Sequence, residues 1–91
     1  MQPIVLTTSG VAKAGPGTLF KVLVTTPGSG SSTVTVYDNA SAASGKVLFQ
    51  GDGAYEADFD VSTDGTGIQA KNGIYVALAG TTKPTVEIEY T

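Results

Sequence analysis

Cysteine, histidine, arginine and tryptophan are all missing from the 91 residues of this chain, and each absence closes a route. Without cysteine no disulfide can staple the fold, and without cysteine or histidine the usual zinc ligand sets cannot be assembled. The lack of thiols leaves the redox compartment open, because such a chain folds equally well in reducing and oxidising surroundings. The same gaps weigh against catalysis, which draws first on histidine and cysteine for proton transfer and nucleophilic attack. The cations are five lysines, Lys13, Lys21, Lys46, Lys71 and Lys83, spread along a chain of net charge −3. Nucleic-acid binding wants clustered cations and favours the arginine fork, so that partner is not expected.

Long apolar runs are missing too. The opening Met1-Gln2-Pro3-Ile4-Val5-Leu6-Thr7-Thr8 has no basic region and only a short apolar run, where a signal-peptide core takes about 7 to 15 residues. No stretch approaches the roughly 20 apolar residues of a membrane-spanning helix. These features predict a protein made in a cytoplasm without export, with no membrane partner.

A chain this short is one domain, residues 1–91, and buries only about 60 to 65% of the surface it exposes when unfolded. Its core is thin, and with neither disulfide nor metal a small domain gains further stability by docking onto a partner or onto copies of itself. Oligomerisation is therefore expected.

What the sequence has in quantity is glycine, serine, threonine and β-branched residues. No window repeats apolar residues at helical spacing for more than a turn, whereas alternation is common. Residues 85–91 put Val86, Ile88 and Tyr90 on one face and Thr85, Glu87 and Glu89 on the other. Residues 56–61 alternate likewise, with Ala57, Phe59 and Val61 inward and Glu56, Asp58 and Asp60 facing water. Ile74, Val76 and Leu78 make a third stripe, with Tyr75, Ala77 and Ala79 opposite. Residues 18–25 are apolar on both faces and read as a central strand covered on two sides, or on one side by a neighbouring subunit. Residues 33–38, 46–50, 4–8 and 10–14 complete about eight short strands.

Turn signals punctuate them: Gly15-Pro16-Gly17, Pro27-Gly28-Ser29-Gly30, Asp38-Asn39, Gly51-Asp52-Gly53, Asp64-Gly65 and Asn72-Gly73. Residues 40–44 are a connecting turn rather than a helix, given the cost of nucleating one. The pattern predicts an all-β fold, a single antiparallel β-sandwich with jelly-roll-like or immunoglobulin-like topology.

Candidate sites are few. Asp58 and Asp60 could form a carboxylate pair for glycoside cleavage, but side chains two apart on a strand point the same way and are most simply a solvated face. Glu87 and Glu89 read alike. The stretch from Asp58 to Gly67, with Asp60 and Asp64, has oxygen donors that suit calcium but lacks the EF-hand ligand order, and an Asp-Gly turn accounts for it equally well. Gly10, Gly15 and Gly17 precede a strand, whereas a phosphate cradle opens a helix. Tyr37, Tyr55, Tyr75 and Tyr90 are dispersed; Tyr55 and Tyr75 lie off the inner stripes and are the candidates for a carbohydrate platform. The sequence thus predicts no enzyme, no cofactor and no catalytic, cofactor-binding or metal residue.

The order of segments carries a resemblance. Val11-Ala12-Lys13-Ala14-Gly15-Pro16-Gly17-Thr18-Leu19-Phe20-Lys21-Val22, then residues 33–45 from Thr33-Val34-Thr35-Val36-Tyr37 to Gly45, then Asn72-Gly73-Ile74-Tyr75-Val76-Ala77-Leu78-Ala79-Gly80 before the last strand, resemble small tailed-bacteriophage virion proteins of the head-decoration or cement type. The likeness spans nearly the whole chain, and similar modules occur inside phage fibre and tail proteins. It implies a β-sandwich on the capsid surface of the virion, often a homotrimer, that contacts the major capsid protein and strengthens the shell. The alternative is a carbohydrate- or host-receptor-binding module of a fibre or tail protein. The apolar strand at 18–25 is compatible with an interface, and the sequence leaves open which face meets the partner.

Overall fold

The computed structural model describes residues 2–61 and 66–91, which form nine strands and no helix among them. In chain order these are β1 (Gln2–Leu6), β2 (Gly10–Lys13), β3 (Gly17–Thr26), β4 (Thr33–Tyr37), β5 (Val47–Asp52), β6 (Ala57–Asp60), β7 (Ile68–Ala70), β8 (Ile74–Ala79) and β9 (Thr85–Tyr90). All pairings are antiparallel. One sheet has the order β1-β9-β3-β6, with β7 pairing the stretch of β3 that β6 leaves open. The other has the order β2-β8-β4-β5.

Apart from the short β7, this is the strand order of an eight-stranded jelly roll, in which the first strand lies beside the last and most connections cross between sheets. An immunoglobulin sandwich pairs its first strand with its second, and here β1 and β2 lie in different sheets. The expected sandwich is present, with one strand more than the eight expected.

The inward stripes are those the alternation predicts. Ile74, Val76 and Leu78 of β8 face Val86 and Ile88 of β9, with Val34 and Val36 of β4 and Val22 and Val24 of β3 completing the middle. Fully burying such a side chain stabilises by about 1.5 to 3 kcal/mol, so this thin layer supplies most of the driving force. Phe49 at one edge and Phe59 at the facing edge close the seam between the sheets, their ring centroids 4.9 Å apart and the rings tilted by 48°.

Strand β3 departs from strict alternation. Its register against β9 shifts between Leu19 and Lys21, so Leu19, Val22 and Val24 are all buried although the first two are an odd number of positions apart. This bulge explains why the segment looks apolar on both sides. The outward side of β3 carries Lys21 and a half-buried Leu23. The strand is central, as the sequence predicts, with β9 on one side and β6 on the other.

Three connections, β3–β4, β5–β6 and β8–β9, meet at one end of the sandwich. Gly28 N–H donates to Gly53 O at 2.9 Å, Gly53 N–H to Ser32 O at 2.9 Å, and Ser29 N–H to Thr82 O at 2.9 Å. A Cβ on Gly28 would stand 2.3 Å from Thr82 O, so glycine is what lets these loops close on one another. At the other end the β4–β5 connection folds on Asn39, whose Oδ1 accepts from Ser41 and Ala42 N–H at 2.9 and 3.0 Å. Residues 40–44 are a turn, as expected.

Candidate functional site

Register fixes which side chains share each outer face. On the five-stranded sheet, Val5, Glu87, Leu23 and Asp58 form one row across β1, β9, β3 and β6, and Pro3, Glu89, Lys21 and Asp60 form the next. Four carboxylates thus surround one cation. Lys21 Nζ lies 3.3 Å from Asp58 Oδ2. The bond from Asp58 and its charge, with lesser help from Glu89 and Asp60, hold the Lys21 ammonium above the usual lysine pKa, against an opposing effect of burial.

Asp58 and Asp60 do lie together on a wet face, and so do Glu87 and Glu89. That face is an open pleated surface, and no pocket is found among the described residues. Nor do any three acidic side chains among those residues converge at metal-binding distance. The calcium reading leaned on Asp64, which lies outside the described residues.

The outer face of the four-stranded sheet is of another kind. Val11, Tyr75, Tyr37 and Val47 stand in one row across β2, β8, β4 and β5, followed by Ala77, Thr35 and Gln50, then Ala79, Thr33 and Asp52. Charge enters only at Asp52 on the rim, whose Oδ1 accepts Ala54 N–H at 2.8 Å. Gln50 Nε2 donates to Thr35 Oγ1 at 3.3 Å, which links two polar side chains of the middle row. Val11 and Val47 are 37% and 47% exposed, so two of the most exposed large apolar side chains flank the tyrosine pair.

A buried carboxylate holds this row in shape. Asp38 follows Tyr37 at the end of β4 and accepts the backbone N–H groups of Asn72 at 2.7 Å, Lys71 at 3.1 Å and Gly73 at 3.4 Å. The Asn72 bond first, and then those from Lys71 and Gly73 with the charge of Lys46, hold its pKa below the usual aspartate value although burial opposes them. The clamp ties the start of β8 to the end of β4 and so seats Tyr75 beside Tyr37.

The structure does not join Tyr55 to Tyr75. Tyr55 is 70% exposed on the β5–β6 connection, at the end of the sandwich where the glycine loops meet, and Tyr75 lies at the opposite end of its sheet beside Tyr37. Tyr90 packs against the core. Ser32 Oγ is buried without a hydrogen-bond partner, enclosed where a Cβ on Gly28 or Gly53 would come within 2.8 Å of it, and no space for a ligand adjoins it.

Apart from β7, the edge strands carry features that disfavour pairing with another chain. Pro3 lies on β1, Asp58 and Asp60 on the short β6, and register shifts interrupt β2 and β5. The uncharged face escaped the sequence reading, although its signal was there: Tyr37, Tyr75, Ala77 and Ala79 occupy solvent-side positions of alternating strands without a charge among them. No protein-family model matches the chain, and neither a curated protein nor a solved structure matches it.

Proposed function

We propose that this chain is a non-enzymatic structural protein of a bacteriophage virion, which decorates the capsid surface and stabilises it by binding the major capsid protein. The carrying observation is the outer face of the four-stranded sheet, uncharged but for Asp52 at its rim, where exposed Val11 and Val47 flank Tyr37 and Tyr75 on a chain whose other face is acidic. The rows of Val11, Tyr75, Tyr37 and Val47 and of Ala77, Thr35 and Gln50 carry no charge, so covering them strips no ion of its water. Jelly rolls recur in viral capsids and lectins, which supports the reading by fold-level analogy alone. Many copies, arranged as trimers at capsid symmetry positions, turn modest single contacts into substantial stabilisation by repetition.

The test uses capsids lacking the protein, to which wild-type chain or a Val47→Lys or Val47→Glu variant is added. Wild type should bind and raise the temperature at which the particles open. Both variants should bind at least about tenfold more weakly, because a buried unpaired charge is costly whatever its sign. Undiminished binding of both would end the reading. The Tyr37–Tyr75 pair favours one second reading, a carbohydrate- or host-receptor-binding module, since adjacent aromatic side chains on an open face suit the apolar side of a sugar ring. Glycan binding abolished by Tyr75→Ala, with no capsid binding, would select it.

A further inference from the structure

Asn72-Gly73 closes the turn between β7 and β8, and it is the one place in the chain where asparagine precedes glycine. Asn72 is exposed. A glycine in this position leaves the following backbone nitrogen unshielded, and that nitrogen can attack the amide carbon of the asparagine side chain. Here the nitrogen is engaged: Gly73 N–H donates to Asp38 Oδ1 at 3.4 Å, beside the shorter bonds from Asn72 and Lys71 to the same carboxylate. Gly73 is also packed from behind. A Cβ on it would stand 2.7 Å from Ala40 Cα and 2.8 Å from the carbonyl oxygens of Asn39 and Lys13.

Both features oppose the attack. An anion bound to an N–H disfavours loss of its proton, which the nitrogen must give up to become a nucleophile. A turn fixed on two sides resists the backbone rotation that would bring the nitrogen onto the side-chain carbon.

We propose that Asn72 is a site of spontaneous deamidation, and that the Asp38 carboxylate guards it for as long as the fold is intact. In the reaction Gly73 N loses its proton to solvent base and bonds to Asn72 Cγ. The Cγ–Nδ2 bond breaks, Nδ2 takes up a proton and leaves as ammonia, and a five-membered succinimide remains. Water then adds to one of the two ring carbonyls and opens the ring, giving aspartate or isoaspartate. Either product sets a new carboxylate beside Asp38, and isoaspartate also lengthens the main chain by one carbon at the start of β8. The inference is independent of what the protein binds.

The experiment incubates the full chain at mildly alkaline pH, folded and in urea, and follows residue 72 by peptide mapping and enzymatic methylation of isoaspartate. The unfolded chain should convert many-fold faster than the folded one. Asp38→Asn and Asp38→Glu, each checked for native circular dichroism, should convert several-fold faster than folded wild type. Absence of conversion at residue 72 in the unfolded chain would remove the site. Equal rates in wild type and the folded variants would remove the guard. Deuterium exchange at the wild-type Gly73 amide is a second readout that needs no variant: slow exchange is expected, and exchange at the unfolded rate would overturn the guarding role.

Discussion

The two outer faces of this sandwich are built on the same kind of interior and yet differ sharply in the charge a partner would meet. One presents rows of Glu87, Glu89, Asp58 and Asp60 around Lys21; the other presents Val11, Tyr75, Tyr37 and Val47 and then threonine, alanine and glutamine. The inner residues of a strand hold the sheets together, so the alternate residues are free to specify the outside. An acidic face keeps water and keeps copies of the chain apart, whereas an uncharged face with exposed valines gives up water readily.

The largest effect should come from the shared interior. Ile74 of β8 and Ile88 of β9 are both fully buried, one under each face. Ile74→Ala and Ile88→Ala should each destabilise by about 2 to 5 kcal/mol in urea unfolding. A near-zero cost for either would show that its sheet does not depend on the common core.

Next comes a matched pair on the surface. Val5→Lys places a cation directly across from Glu87 on the acidic face and should stabilise slightly, by about 0.2 to 1 kcal/mol, leaving capsid binding unchanged. Val47→Lys should leave unfolding within about 0.5 kcal/mol of wild type while weakening capsid binding. If the two substitutions acted alike on binding, the contrast between the faces would have no functional content.

Asp38 tests what keeps the uncharged face in register. Its pKa is lowered in the fold, so its contribution is complete above the ordinary aspartate value of 3.8 and is lost as the pH falls through the still lower folded-state value. Asp38→Asn should therefore lower the Tm at neutral pH and flatten its decline on acidification, as followed by circular dichroism melting over pH. A variant whose Tm falls with acid as steeply as wild type would assign the acid sensitivity elsewhere.

The smallest effect belongs to Lys21. Its pKa is raised, so the stabilisation is present below the ordinary lysine value of 10.5 and is lost as the pH rises through the higher folded value. Lys21→Gln should lower the Tm slightly at low salt, and added salt should shrink the difference because the pair with Asp58 is solvent-exposed. A difference that survives high salt would point to packing of the lysine stem instead.

Much of the fold was legible because burial on a strand repeats every second residue. The stripes of residues 56–61, 74–79 and 85–91 have the inward side that alternation predicts. β7 was missed because three residues, Ile68-Gln69-Ala70, are too few to show a period. Gly51 and Asp52 read as a turn but continue β5, since pairing with Val34 and Thr33 overrides their weak strand preference. Of the candidate residues, Asp58, Asp60, Glu87 and Glu89 were correctly placed on a wet face. The Tyr37–Tyr75 pair was not seen, because the two residues are far apart in sequence and meet only through the register of β4 and β8.

Sequence by itself determined the class of this protein, most of its strands and turns and the inward side of most strands, because these depend on each residue and its near neighbours. Tertiary structure alone decided the jelly-roll order, the bulge that turns Leu19 and Val22 to the same side, and the grouping of four distant side chains into one uncharged row. Those features arise from which strand lies beside which and in what register. Hydrogen bonding along a sheet edge is nearly blind to sequence, so that choice is made by how the whole set of apolar faces closes over a single core.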